Sequence, residues 1–257
     1  MTSNNRYMLS SVKNALRLLR SFTLEEPEKK VTDLAESLGL GKSTVSRLLS
    51  TLESEGFVIK DEETRKYRLG LSILHLNTVL TSHLEITRES QPVLEQLVNE
   101  VEETAHVAQL EDMEVIYVNR VECRHPVRIL SHIGRRNPLH CTSSGKVLLA
   151  FQGDHKVELY IDQKGLQPYT LKTITDPEKL KMELETIKKQ GYAISIEERM
   201  EGVTSIAAPI KDYTGKVKYA LTVIGPVHRM NPYHPQMIHK VINAAKEISE
   251  RLGYWRN

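Results

Sequence analysis

The chain has 257 residues, a length that favours two compact domains over one. With 40% hydrophobic and 26% charged residues, it has the composition of an ordinary globular protein. It contains no run of about 18 apolar residues to span a membrane, and its first residues lack the apolar stretch and cleavage site of a signal peptide. Its two cysteines are too few for a disulfide framework. These features predict a cytoplasmic protein.

The formal net charge is +2, and the small positive excess lies in the N-terminal quarter. Residues 1–70 hold 12 Lys and Arg against 10 Asp and Glu, while the remaining residues hold 23 of each. This excess is too small to establish nucleic-acid binding, so the placement of the charges must decide the question.

Two amphipathic helices are predicted at the N-terminus. In "SVKNALRLLRSF" the apolar residues recur at helical spacing, and they are Val12, Ala15, Leu16, Leu19 and Phe22. The segment "VTDLAESLGL" reads as a short second helix, with Thr32 as its N-cap and Gly39 at its end.

The following segment, "GLGKST", suggests a phosphate-binding loop, but the rest of the motif is missing. A phosphate loop requires G-x-x-x-x-G-K-[ST] after a buried strand. The first glycine would stand at position 36, where this chain has Glu36, and the preceding segment is helical in pattern rather than a strand. A carboxylate there would repel a triphosphate, so nucleotide binding is excluded.

A third helix over residues 42–55 presents two chemically different faces. Its apolar stripe consists of Val45, Leu48, Leu49 and Leu52. The remaining surface is rich in hydroxyl groups, contains one arginine and lacks acids, a combination that can bond phosphates and base edges. The predicted DNA contacts on this helix are Lys42, Ser43, Thr44, Ser46, Arg47 and Ser50. The alternative is that the serine-rich face is merely solvated.

The neighbouring segments favour DNA binding. The tight "GLG" turn makes the second and third helices a helix-turn-helix, with the third as recognition helix. Downstream, "GFVIKDEETRKYRLG" reads as two short strands around a charged turn, with Lys60, Arg65, Lys66 and Arg68 clustered on it. This hairpin would be the wing of a winged helix-turn-helix. Acidic residues at its turn restrict phosphate contact to the second-strand side, where Arg65 and Lys66 are the predicted contacts.

The rest of the chain predicts a second, α+β domain. Residues 70–83 form a mostly apolar helical segment that is expected to pack on a partner subunit. A longer helix over residues 86–104 precedes strands at 105–110, 114–122 and 127–133, and three more strands follow before a C-terminal helix. The pattern is an antiparallel sheet with helices on it. We therefore assign residues 1–70 to DNA binding, 71–85 to a linker helix, and 86–257 to effector binding and oligomerisation.

The chain resembles the isocitrate-lyase-regulator (IclR) family of bacterial transcription factors in segments that keep their order along almost its whole length. These are "SVKNALRLLRSF", "VTDLAESLGLGKSTVSRLLSTLESEGFV", "PLHCTSSGKVLLA", the spacing G-x3-S-x2-E-x6-S-I-A over residues 191–207, and "ALTVIGPVHR". The resemblance implies a winged helix-turn-helix, a helical linker, and a GAF/PAS-like effector domain. It also implies dimers, often paired into tetramers, on palindromic double-stranded DNA operators. The family includes repressors and activators, and we expect a repressor of a catabolic operon that needs no cofactor.

The same resemblance implies where a small organic acid, sugar acid or aromatic effector binds. The backbone amides of Ser143 and Ser144 match the loop that holds an effector carboxylate, and helix N-termini bind anions well. The other matching positions are Ser195, Ser205, Thr222 and Ile224. Ile224 replaces a serine of glyoxylate-binding members, which favours an effector with an apolar or larger part. Ser143 and Ser144 also have a simpler reading as helix caps.

Two alternatives belong to other functional classes. A metal-responsive regulator would use the His/Cys cluster over residues 123–141, although no H-x3-H or C-x2-C spacing occurs there. A hydrolase would use Ser143 or Ser144 with His140, although an orienting acid and a G-x-S-x-G elbow are missing. We therefore predict neither a metal site nor catalytic residues.

Overall fold

The computed structural model describes residues 9–82, 84–125 and 132–255. The chain divides into two compact units, Met1–His83 and Leu84–Asn257. Within the described part of the chain, no helix is long and apolar enough to cross a membrane.

The first unit contains four helices and a two-stranded sheet among its described residues. The helices are α1 (Ser10–Arg20), α2 (Val31–Leu38), α3 (Lys42–Ser54) and α4 (Ser72–Ser82), and the strands are β1 (Val58–Lys60) and β2 (Tyr67–Leu69). The two strands pair antiparallel, as the sequence predicts for the wing.

One small core holds α1, α2, α3 and the hairpin together. Its fully buried members include Leu18 of α1, Leu34 of α2, and Val45 and Leu49 of α3. Gly39 ends α2 in the left-handed conformation, at a φ of 65°. Because that conformation is readily adopted by glycine, the chain can turn directly into α3. The helix-turn-helix is thus confirmed.

The second unit is built on one antiparallel sheet with helices on both faces. Its helices are α5 (Glu85–Val101), α6 (Ser143–Ala150), α7 (Asp154–Lys164), α8 (Pro177–Gln190) and α9 (Pro235–Arg251). Its strands are β3 (Thr104–Glu111), β4 (Glu114–Val121), β5 (Arg136–Asn137), β6 (Ala193–Ile196), β7 (Val203–Lys211) and β8 (Val217–Pro226). The strand order is β5-β4-β3-β8-β7-β6, and every pairing is antiparallel.

Successive residues of the strands face opposite sides of the sheet and contribute to two separate hydrophobic cores. Val107 of β3 faces the core formed with α5 and α9, whereas Ala108 faces the core formed with α6, α7 and α8. This is the period-two alternation of a strand buried on both sides. The predicted α+β class is therefore confirmed.

Two details differ from the sequence-based expectations, and one expectation stays untested. Helix α2 begins at Val31 rather than after Thr32, because the carboxylate of Asp33 accepts a hydrogen bond from the amide of Lys30 and closes the first turn. The sequence analysis did not identify α7, whose apolar residues form only a weak stripe. Most of the strand predicted at 127–133 lies outside the described residues.

Gly145 sets how closely α6 approaches the segment before it. A Cβ at this position would lie 2.4 Å from the carbonyl oxygen and 2.6 Å from the Cα of Leu139. Those atoms are buried backbone, so neither can rotate away as a flexible side chain would. Glycine is therefore required for the path of the chain into α6.

We expect Gly145→Ala to destabilise the second unit by about 1–3 kcal/mol, the usual cost of overpacking. Urea unfolding of the full chain would measure it. The control is Gly153→Ala, because a Cβ there meets nothing within 4 Å and the φ of −65° suits alanine. Equal unfolding midpoints for the two variants would contradict the assigned role of Gly145.

Candidate functional site

The structure places the predicted DNA-contacting residues of α3 together on its surface. The side chains of Lys42, Ser43, Thr44, Ser46, Arg47 and Ser50 are all exposed. Val45 and Leu49, on the other side of the helix, are fully buried. The first turn of α3 carries no acidic residue, so no side chain there neutralises the positive end of the helix dipole.

The turn before α3 is braced by α1. The guanidinium of Arg17 donates a hydrogen bond of 3.1 Å to the carbonyl oxygen of Leu38, the last residue of α2. This bond satisfies a carbonyl at the helix end that has no partner within the helix. It also links the orientation of α1 to the start of the recognition helix.

Some basic side chains of the wing form ion pairs within the wing itself, which the sequence did not indicate. Arg65 lies at a φ of 59° in the turn, and its guanidinium is 3.2 Å from the carboxylate of Glu62. The same carboxylate is 3.2 Å from the ammonium of Lys60. Lys66 is half-buried. Exposed ion pairs of this kind contribute little, so a phosphate can replace the carboxylate at low cost.

A cavity in the second unit brings together all six residues predicted to contact an effector. Ser143, Ser144, Ser195, Ser205, Thr222 and Ile224 line it. Its volume is about 70 Å³. A single water needs about 10–15 Å³ on the same scale, so the cavity is large enough for a small molecule.

The N-terminus of α6 forms one wall of the cavity. The cap is Thr142, whose hydroxyl accepts a 3.1 Å hydrogen bond from the amide of Gly145, so the capping alternative for Ser143 and Ser144 is wrong. The Ser143 hydroxyl instead donates to that of Ser205 at 2.8 Å. The Ser195 hydroxyl donates to the carbonyl oxygen of Cys141 at 3.3 Å. These bonds join the helix start to β6 and β7.

Besides the cap residue Thr142, five further polar residues that the sequence analysis did not identify line the cavity. They are His106, Tyr117, Arg135, Asn137 and Arg199. Two are cationic, and none of the described lining residues is Asp or Glu. The guanidinium of Arg199 lies 4.0 Å from the centre of the Tyr169 ring, a cation–π contact that orients it. Together with the helix N-terminus, these charges favour an anion.

A β-bulge places Tyr117 in the cavity. The pairing of β3 with β4 shifts between Val107 and Ala108, so His106 pairs with Arg120 and Ala108 with Tyr117. Arg120 and Tyr117 are three residues apart and would face opposite sides of a regular strand. The bulge turns both to the same face, and the Tyr117 ring centre lies 4.1 Å from that of His106.

Burial disfavours the charged forms of three titratable side chains of the cavity, those of His106, Tyr117 and Cys141. It raises the pKa of Tyr117 to about 12 and that of the Cys141 thiol to about 12. Burial, and to a lesser extent the positive charge of Arg120, lower the pKa of His106 to about 3. Near neutral pH, therefore, the imidazole, phenol and thiol carry no charge.

The geometry does not support the alternative functions. Both ring nitrogens of His140 have partners, the Tyr160 hydroxyl at 2.7 Å and the Gln167 carbonyl oxygen at 3.0 Å, so this imidazole is not oriented as a base for Ser143. Within residues 9–82, 84–125 and 132–255, no three His, Cys, Asp or Glu side chains are grouped to hold a metal ion.

An exposed recognition helix in one unit and a cationic cavity in the other define an effector-responsive DNA-binding regulator. Comparison with known proteins identifies the family. The IclR helix-turn-helix domain matches residues 11–62, and the domain described as bacterial transcriptional regulator IclR C-terminal matches residues 78–250. The chain belongs to the IclR family of transcriptional regulators.

Relatives and solved structures match over nearly the whole chain. The regulator KdgR of Escherichia coli (strain K12) is 32% identical over 250 residues, covering 96% of this chain and 94% of that protein. KipR of Bacillus subtilis (strain 168) is 33% identical over 245 residues, covering 95% and 97%. An IclR homologue from Microbacterium hydrocarbonoxydans, complexed with 4-hydroxybenzoate, has a TM-score of 0.83 and 26% identity, covering 95% of this chain and 99% of that one.

The neutral state of His106 makes stability depend on pH. The pKa of this imidazole lies near 6.5 in the unfolded chain and near 3 in the folded one. Between about pH 3 and pH 6.5, therefore, the imidazole is protonated in the unfolded state but not in the folded state. The free energy of unfolding therefore falls as the pH drops below about 6.5. Relative to His106→Gln, we expect the wild type to lose about 2 kcal/mol between pH 7.5 and 5, at about 1.4 kcal/mol per unit.

Urea unfolding at the two pH values would measure this loss. His155→Gln, which changes an exposed histidine on α7, is the matched control and should follow the wild type. If His106→Gln lost as much stability as the wild type, the imidazole would not be neutral in the folded protein.

Proposed function

We propose that this protein is a repressor of a catabolic operon, and that a small organic acid in the cavity changes its affinity for a palindromic operator. The observation that carries this proposal is the composition of the cavity. Two arginines, a helix N-terminus and four serines surround it, without a carboxylate among the described lining residues. Such a site favours a carboxylate over a neutral or cationic molecule.

The proposed effector is a small organic acid, a sugar acid or an aromatic acid. Its carboxylate would lie at the first turn of α6, against the amides of Ser143 and Ser144. Ser195, Ser205, Thr222 and Ile224 would contact the rest of the molecule. The homologue from Microbacterium hydrocarbonoxydans, which was solved with 4-hydroxybenzoate, supports an aromatic acid as one candidate.

DNA contact is assigned to the exposed face of α3 and to the wing. Lys42, Ser43, Thr44, Ser46, Arg47 and Ser50 would enter or border the major groove, and Arg65 and Lys66 would contact the backbone. The division into residues 1–70, 71–85 and 86–257 is part of this proposal. Because the target is bacterial DNA, the protein would act in the cytoplasm, and we assign it no catalytic role.

We propose further that the protein acts as a homodimer or homotetramer. Along α4 and the residue before it, the apolar side chains of Leu71, Leu74, Leu76 and Leu80 are each more than half exposed. Such a surface on a short helix is unfavourable in water and suits a second copy of the chain. A dimer would present two recognition helices to the two half-sites of an operator.

Regulation follows from linkage. If the effector binds one conformation of the dimer better than another, it shifts the population toward that conformation. The coupling is reciprocal. Binding to the operator changes the affinity of the protein for the effector by the same factor by which the effector changes its affinity for the operator. An acid that weakens operator binding would make the protein an inducible repressor.

Arg47→Ala should cause a loss of specific operator affinity while the second unit stays folded. A bidentate arginine–guanine contact provides about 1–3 kcal/mol of discrimination, so specific affinity should fall about 5- to 150-fold. Fluorescence anisotropy with DNA from the protein's own upstream region, at two salt concentrations, would measure it. Arg88→Ala, on the exposed side of α5, is the control. Unchanged operator affinity in Arg47→Ala would contradict the assigned recognition face.

Arg199→Gln should weaken acid binding about tenfold or more, because it removes a charge-assisted contact of about 1.5–3 kcal/mol. Titrating a panel of small acids into the protein–operator complex would measure the concentration needed for half-maximal effect. Arg251→Gln, in the last turn of α9 and away from the cavity, should behave as wild type. Equal responses of both variants would exclude Arg199 from the effector site.

A further inference from the structure

His106 and Thr222 face each other across two strands of the cavity floor. They are register partners on β3 and β8, so their side chains project from the same face of the sheet. Their side chains are almost completely buried, with exposed fractions of 0% and 2%. Both residues line the same cavity as the N-terminus of α6.

The polar atoms of this pair have no partner among the described residues. Both ring nitrogens of His106 and the hydroxyl oxygen of Thr222 are buried without a hydrogen bond. Buried polar groups in folded proteins are nearly always satisfied, by protein, water or ligand. Two neighbouring side chains that both lack partners, and that border a cavity, therefore indicate a group that binds between them.

The chemistry of the pair limits what that group can be. The imidazole is uncharged, because it is buried and lies near the positive charge of Arg120. A neutral imidazole offers one donor and one acceptor, and a threonine hydroxyl can act as either. A group that can both donate and accept pairs with this imidazole in either of its tautomers. An alcohol or phenol hydroxyl does so, whereas a carboxylate or ketone oxygen, which can only accept, requires the tautomer whose N–H faces the cavity.

The pair lies in the row of the sheet next to the row of Ser205, which is bonded to the first turn of α6. Ser205, bonded to Ser143 of α6, pairs with Ile224 on β8, and Ile224 is two residues from Thr222. Two residues along a strand span roughly 7 Å. The apolar Ile224 lies beside Ser205 in the same row. The cavity thus offers the N-terminus of α6, an apolar side chain near it and, roughly 7 Å further along the strand, an unsatisfied polar pair.

We propose that His106 and Thr222 bind a hydroxyl group of the effector, which is therefore an acid with a hydroxyl several atoms away from its carboxylate. This inference rests on the proposed function, since it takes the carboxylate at α6 as given. It adds a determinant of specificity, because an acid without the distal hydroxyl would leave the pair unsatisfied.

Matched pairs of acids would test the proposal on the full-length chain by isothermal titration calorimetry. The probes are 4-hydroxybenzoate with benzoate, 5-hydroxypentanoate with pentanoate, and a sugar acid with its analogue that lacks the distal hydroxyl. Thr222→Val keeps the shape of the side chain but removes the hydroxyl, and Thr222→Ser keeps the hydroxyl. Wild type should bind the better-fitting hydroxy acid at least about tenfold more tightly than its analogue.

The two variants separate recognition from structure. Thr222→Val should lower affinity for the hydroxy acid about tenfold and leave the analogue nearly unchanged, whereas Thr222→Ser should retain the preference. Without ligand, Thr222→Val should have a Tm equal to or above that of wild type, because the hydroxyl it removes is unsatisfied. A purely structural threonine would lower the Tm when replaced.

Each of the remaining outcomes is informative. If wild type binds both members of every pair equally, or if Thr222→Val weakens both equally, the hydroxyl-binding role is wrong and acid binding stands. If no acid in the panel binds wild type, the proposed acid-binding function is overturned, and this inference falls with it.

Discussion

The buried ammonium of Lys146 holds the cavity together. This residue is 1% exposed, and its side-chain nitrogen lies 2.7 Å from the carboxylate of Glu198, 2.7 Å from the carbonyl oxygen of Ile194 and 3.1 Å from the carboxylate of Glu183. One group thus links α6 to α8, to β6 and to the segment that carries Arg199. Because removing one partner of a buried ion pair leaves an uncompensated charge, these elements are constrained to move together.

This constraint explains how a polar cavity is maintained inside a folded unit. Burial raises the pKa of Glu198, and the nearby ammonium of Lys146 opposes that rise. The lysine of the "SSGK" segment therefore supports the cavity wall from behind, while the first turn of the same helix faces the cavity. Positive charge at the cavity comes instead from Arg135 and Arg199, which belong to other segments. Different cations thus support the cavity wall and place positive charge at the cavity.

The two units use different physical means to recognise their targets. The recognition helix carries its polar groups on the surface, where water solvates them until DNA replaces it. The cavity keeps its polar groups out of water, so each missing hydrogen bond there has a larger energetic effect. Specificity for a small molecule is consequently expected from unsatisfied groups such as Thr222, whereas specificity for DNA is expected from base contacts made by Arg47.

The sequence determined the elements whose signal is local. Apolar residues at helical spacing identified α1 and α3, and short strand-like segments identified β3 and β4. The C-terminal helix and three further strands were predicted where α9, β6, β7 and β8 lie. The resemblance to a family then brought Ser143, Ser195 and Thr222 into one predicted site, and the structure places them around one cavity. Which of them contact an effector stays a prediction.

Only the tertiary structure decided which other groups share the cavity. His106 lies in a strand whose pattern reads as buried, and its sole signal was a titratable residue among apolar neighbours. Tyr117 reaches the cavity through a β-bulge, and Arg199 reaches it through a turn supported by Lys146. These placements depend on strand register and on contacts between residues far apart in the chain. Local periodicity encodes which face of an element is buried, but it does not encode which distant side chains meet that face.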